Sequence, residues 1–213
     1  MSSPWHHSVQ VPVYIINFRT REASNPLTSL SGPATLALRP FAADPAAAVR
    51  QIGIRVVRPV PARLLLDYEL VGDLARLRIA GPAAPAGARA APTDGLWRHT
   101  CMEVFVGLKP AAAYLEFNFA PDGQWAAYRF SGYRAGMAPL IGIRPPRIEL
   151  RTQSDRLLLS ADVELPAQLS AAALRLGIAA VVENDHGQLA YWALDHAADR
   201  PDFHRPESFG FEI

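Results

Sequence analysis

From Ala34 onward, apolar and polar residues alternate with a period of two in short runs broken by Pro, Gly, Asn and Asp, the pattern of strands joined by turns. Candidate strands at 34–39 and 52–58 flank a 45–51 segment with the composition of a helical turn. In Arg63 to Val71, Leu64, Leu66, Tyr68 and Leu70 share one face, while Asp67 and Glu69 take the other. Gly72-Asp73 is a glycine-first hairpin signal, so the chain is expected to return as a strand over 74–80. Residues 81–92, GPAAPAGARAAP, read as an exposed low-complexity loop. Further strand patterns cover 99–108, 114–120, 125–130, 147–152, 156–164, 174–183, 188–194 and 208–213, with turn chemistry at Pro121-Asp122-Gly123 and at Asn184-Asp185-His186-Gly187. A short 165–173 segment is a second helical-turn candidate. Many short strands without crossover helices predict an all-β fold, an antiparallel β-sandwich or jelly roll, and argue against a parallel α/β sheet.

Residues 1–33 lack this texture apart from an apolar run at 11–18 and read as a disordered tail or a start-site artefact, leaving one domain over 34–213. The chain shows no signal peptide and no apolar run long enough to span a membrane, so a cytoplasmic location is expected. A net charge of +1 gives no electrostatic reason for a nucleic-acid or membrane partner. Cys101, the single cysteine, excludes an internal disulfide and a cysteine-built zinc site.

Alternation divides 99–108 into a core face (Thr100, Met102, Val104, Val106) and a second face (His99, Cys101, Glu103, Phe105). In the next run, Tyr114, Glu116 and Asn118 oppose Leu115, Phe117 and Phe119, and the following strand offers Gln124, Tyr128 and Phe130. If these strands are neighbours, one face carries His99, Glu103, Glu116, Asn118, Gln124 and Tyr128. Such a surface is either a solvated outer sheet face or a sugar site of hydrogen-bonding groups beside flat rings. Trp97, Trp125 and Trp192 are core pieces or stacking platforms; Trp97 and Trp192 suit a pocket wall, and Trp125 suits packing.

His99 and Glu103, about 13 Å apart along a strand, cannot share a metal. His196, Asp199, Asp202 and His204 could converge on a cation or serve only as turn residues. Glu103 and Glu116 could face each other as a carboxylate pair, the arrangement glycoside hydrolysis uses. No GxSxG, P-loop or dinucleotide motif is present, so the chain is not expected to be an enzyme.

Three stretches, DGLWRHTCMEVFVG (94–107), YLEFNFAPDGQWAAYRF (114–130) and YWALDHAADRPDFHRPESFG (191–210), resemble the bacterial DOMON-like domains related to family 9 carbohydrate-binding modules. The resemblance covers about 34–213. It implies a jelly-roll-like sandwich with a non-catalytic role, in which two aromatic rings hold a sugar and polar side chains bind its hydroxyls. Trp97 and Trp192 fall near those ring positions, and His99 and Thr100 stand where the sugar-binding relatives carry an aspartate. The candidate ligand-binding set is therefore Trp97, His99, Glu103, Glu116, Asn118, Tyr191, Trp192 and His204. The expected partner is a saccharide or other small polar ligand, without a required cofactor. Relatives bind structural calcium, whose acidic ligands do not map onto this chain. Other DOMON relatives bind b-type haem for electron transfer, for which Met137 with His186, His196 or His204 is the available pair. A protein-interaction module using a sheet edge or residues 11–18 is a third expectation.

Overall fold

The computed structural model describes residues 34–42, 48–79, 92–169 and 173–213. The tail at 1–33, the loop at 80–91 and part of each helical-turn candidate lie outside these residues. Twelve strands follow in chain order. They are β1 (Ala34–Pro40), β2 (Val49–Val60), β3 (Arg63–Gly72), β4 (Cys101–Leu108), β5 (Tyr114–Phe119) and β6 (Trp125–Phe130). The second half adds β7 (Ala138–Pro139), β8 (Arg147–Thr152), β9 (Arg156–Glu164), β10 (Leu174–Glu183), β11 (Leu189–Ala193) and β12 (Phe211–Glu212). Among the described residues, the only helical pieces are single 3-10 turns.

The strands form one antiparallel path, β7-β6-β5-β4-β10-β11-β1-β2-β3-β9-β8, with β12 beside β10. It curls at β1, which pairs with β2 through Ala34 to Leu38 and with β11 through Arg39 and Pro40. The fold is all-β and sandwich-like. Between the two layers lies a core that takes Ile52, Ile54, Leu66, Tyr68, Leu157 and Leu159 from one side. Met102, Val104, Phe117, Phe119, Ile178 and Trp192 come from the other. The period-two pattern produces this because successive strand residues point to opposite faces. Tyr68 spans the layers, its hydroxyl donating to the Glu103 carbonyl at 2.8 Å.

Two expectations need correction. Residues 49–51 open β2 instead of forming a helical turn. The 74–80 run does not return as a strand: Leu74–Arg76 is a 3-10 turn capped by Asp73. The reason is topological, since β3 is already flanked by β2 and β9 and has no free edge for a hairpin partner. The terminal edge strand β8 carries exposed Arg147, Glu149 and Arg151, charges of the kind that discourage edge-to-edge pairing.

The β4–β5–β6–β10 layer is buried on both faces. Its second face carries Cys101, Phe105, Tyr114, Tyr128, Phe130, Ala179 and Val181, covered by Leu96 and by Phe203 and Phe209 from the segment before β12. Phe209 sits over Gly177, where a Cβ would meet its ring at 2.6 Å, so only glycine permits this seat.

Candidate functional site

Register brings the two glutamates together on this covered face. Glu103 on β4 lies opposite Asn118 on β5 and Ala179 on β10, and Glu116 on β5 lies opposite Phe105 and Tyr128. They are thus diagonal neighbours on adjacent strands, a spacing of about 7–8 Å between backbones. Both are buried, at 2% and 3% exposure. They form the floor of a cavity of about 290 Å³ walled by Trp97, Phe130, Tyr191 and Phe203, with Arg134, Met137 and His204 at its side.

Each wall has a local cause. Trp97 lies in the Leu96–Arg98 turn, entered through Gly95 at φ +80, and its ring meets Tyr128 edge-on at 5.6 Å. The Tyr128 hydroxyl donates to Asp94 at 2.6 Å, which fixes that ring in turn. His204 is enclosed by Phe105 and Phe130, each 5.1 Å away, and its Nδ1 is 2.8 Å from the Tyr114 hydroxyl. That hydroxyl also accepts from the Arg134 backbone N–H at 3.3 Å. Nε2 faces Glu116 Oε2 at 3.9 Å.

Arg134 holds a left-handed backbone conformation, φ 51, rare and strained for a non-glycine residue. Its guanidinium donates to Asp202 Oδ1 from Nε and Nη2 at 3.2 and 2.9 Å. Asp202 also accepts from the Tyr133 hydroxyl at 2.5 Å. Burial alone would raise the Asp202 carboxyl, but these bonds and the Arg134 charge outweigh it and hold it below the ordinary range.

The floor is electrostatically unusual. Burial, then repulsion from Glu116, raises the Glu103 carboxyl well above the usual range, with Arg134 opposing weakly. Burial lifts Glu116 to about 7, against the Asn118 amide bond and Arg134. Burial, then the Arg134 charge, lowers His204 to about 4, so the ring is neutral near pH 7. The Asn118 amide donates to Glu116 Oε1 at 2.8 Å, whereas Glu103 Oε1 is buried without a partner.

Of the residues proposed from sequence, Trp97, Glu103, Glu116, Tyr191 and His204 border this cavity, and Asn118, on the same face of β5, donates to Glu116. Trp192 does not: alternation on β11 turns Tyr191 toward the cavity and sends Trp192 into the inter-sheet core. His99 does not either. It lines a separate recess with Arg78 and Gln124, where its Nδ1 meets Glu183 at 2.7 Å. Arg134 and Phe203 were missed, both lying in irregular segments without alternation to place them.

Among the described residues, no group of three or more His, Cys, Asp or Glu is placed to hold a metal ion. Asp202, one of the four late-loop candidates, is committed to Arg134 and Tyr133. The pair suggested for haem is brought to one cavity, as Met137 and His204 both border it. The surroundings do not fit that group. His204 would be the residue to hold it, but its Nε2 faces the buried Glu116 carboxyl at 3.9 Å and its Nδ1 is engaged by the Tyr114 hydroxyl. His196 is also engaged elsewhere, its Nε2 donating to the Arg39 carbonyl at 2.9 Å.

No family model and no curated protein sequence matches the chain. The fold does have a solved counterpart. A Bacteroides uniformis protein, to which carbohydrate binding has been provisionally ascribed, superposes with a TM-score of 0.58 at 15% identity over 84% of each chain. The similarity is one of fold.

Proposed function

We propose that this chain is a non-catalytic binding domain of the DOMON-like class, related to family 9 carbohydrate-binding modules, that holds a saccharide or similar small polar ligand. The observation that carries this reading is the cavity itself: aromatic walls around buried hydrogen-bonding groups, one of them unpartnered. Its volume, about 290 Å³, is at the small end for ligand pockets and suits a single sugar ring. The ring of Trp97 or Tyr191 would cover the apolar face of the sugar, and Glu103, Glu116 and Arg134 would meet its hydroxyls. The Bacteroides uniformis counterpart supports the same class of ligand. A nucleophilic role for Cys101 is disfavoured, because burial raises its thiol well above the ordinary range.

Calorimetric titration against a panel of monosaccharides tests this. Trp97→Ala is expected to weaken binding about five- to tenfold, in line with about 1–1.5 kcal/mol for lost ring contact. Trp192→Phe is expected to leave affinity unchanged. Equal binding by Trp97→Ala and the parent would remove the cavity from consideration.

A further inference from the structure

We propose that the group seated between Glu103 and Glu116 is a protonated primary amine, so that the saccharide taken by this site is an amino sugar with a free amino group. The proposal rests on the saccharide reading above and narrows it.

Glu103 Oε1 is buried in the protein without a partner, and Glu116 Oε2 has only His204, at 3.9 Å. Two carboxyl oxygens on one cavity floor thus await donors. The positive charge that reaches both carboxyls comes from Arg134, whose guanidinium is already bonded. Arg134 is matched by Asp202, to which Arg205 also comes within 3.7 Å. His204 is neutral, and Tyr133 and Tyr114 are bonded to Asp202 and His204. Cys101 on β4 is buried as a thiol, and Tyr128 on β6 is bonded to Asp94. From β10 and β11 the pocket receives Val181 and Tyr191, neither of them cationic. Behind the floor, Tyr68 meets only the Glu103 carbonyl.

A sugar hydroxyl offers one donor and no charge, so the buried carboxyls would stay largely protonated around it. An anionic ligand would add repulsion to the pair. An ammonium offers three donors and the charge that lets both carboxyls ionise, and charge-assisted bonds of this kind are about twice as strong as neutral ones. The aromatic walls favour the same choice, since Trp and Tyr faces attract a ligand cation. Balance of protons follows: the amine enters carrying its proton, and the carboxyl pair releases its own to solvent. Raising the pH toward 7, where Glu116 titrates, therefore favours binding.

The test is titration of the full chain with the 2-amino-2-deoxy sugars of gluco, galacto and manno configuration. Each is compared with its neutral parent and its N-acetyl derivative, in buffers of different ionisation enthalpy. At least one free amine is expected to bind about tenfold tighter than both its neutral counterparts. It should release protons, and the gap should widen from about pH 5.5 to about pH 7. Glu103→Gln, which keeps the side-chain shape, is expected to bring the amine down to the affinity of its neutral parent. Neutral or N-acetyl sugars binding as tightly as the amine would overturn the amine assignment and leave the saccharide reading standing. No binding by any of these sugars would overturn both.

Discussion

Phe105→Ala is expected to destabilise the fold by about 3–5 kcal/mol, the cost of removing a fully buried ring and leaving a cavity. For a chain of this size that corresponds to a fall in Tm on the order of 10 °C. Phe105 is 1% exposed, and its ring stacks on Phe209 at 5.8 Å and meets His204 at 5.1 Å. Truncation therefore also loosens the segment that closes the ligand cavity, and saccharide affinity should fall with stability. Phe117→Ala separates the two effects. Phe117 is equally buried but faces the inter-sheet core, so a similar loss of stability is expected with affinity largely kept in the folded fraction. Urea midpoints with calorimetry on both variants make the comparison. Equal retention of affinity would show that the second face does not depend on Phe105.

The second large effect is one of pH. Glu116 keeps its proton in the folded chain up to about 7, against an ordinary value of 4.5. Between these values the folded state binds more protons than the unfolded one, so stability falls as the pH rises through this window. The full penalty above pH 7 is about 3 kcal/mol, and about 1 kcal/mol of it is present at pH 5. Glu103 is shifted in the same direction. His204 acts oppositely: lowered to about 4, it makes stability fall as the pH drops below its ordinary value of 6.5. His204 and Glu116 oppose each other between about pH 4.5 and 6.5, and above that window the carboxyls act without it, so the ligand-free protein should lose stability as the pH rises past about 6.5. The stability of Glu116→Gln relative to the parent should therefore grow by about 2 kcal/mol from pH 5 to pH 8, read from urea midpoints at each pH. A constant difference between variant and parent would mean that Glu116 ionises normally in the folded chain.

The sequence was most legible where alternation ran unbroken between clear turns. The shared face of Leu64, Leu66, Tyr68 and Leu70 and the opposition of Glu116 to Phe117 could be read because period two is a backbone property. What lay beyond reach was the neighbour. Leu74 to Ile79 has strand composition, but whether it pairs depended on β9 already occupying the edge of β3. Alternation separates Tyr191 from Trp192 without saying which face is core; the smaller ring borders the cavity and the larger one fills the inter-sheet core. Glu103, Glu116 and Asn118 look like a solvated face until Phe203 and Phe209, far along the chain, cover it. Arg134 stands in a turn whose sequence, SGYRAG, announces flexibility of direction and nothing about a buried carboxylate partner.

The separation of Trp97 from Trp192 also gives the molecule an optical signal of its own. Trp125 and Trp192 are sealed in the inter-sheet core at 5% and 4% exposure, whereas Trp97 is half-buried at the cavity wall. With Trp5, which lies outside the described residues, replaced by phenylalanine, the sealed pair emits against a constant surrounding. Any change in intrinsic fluorescence on adding a sugar then belongs to Trp97, and occupancy can be followed without a label.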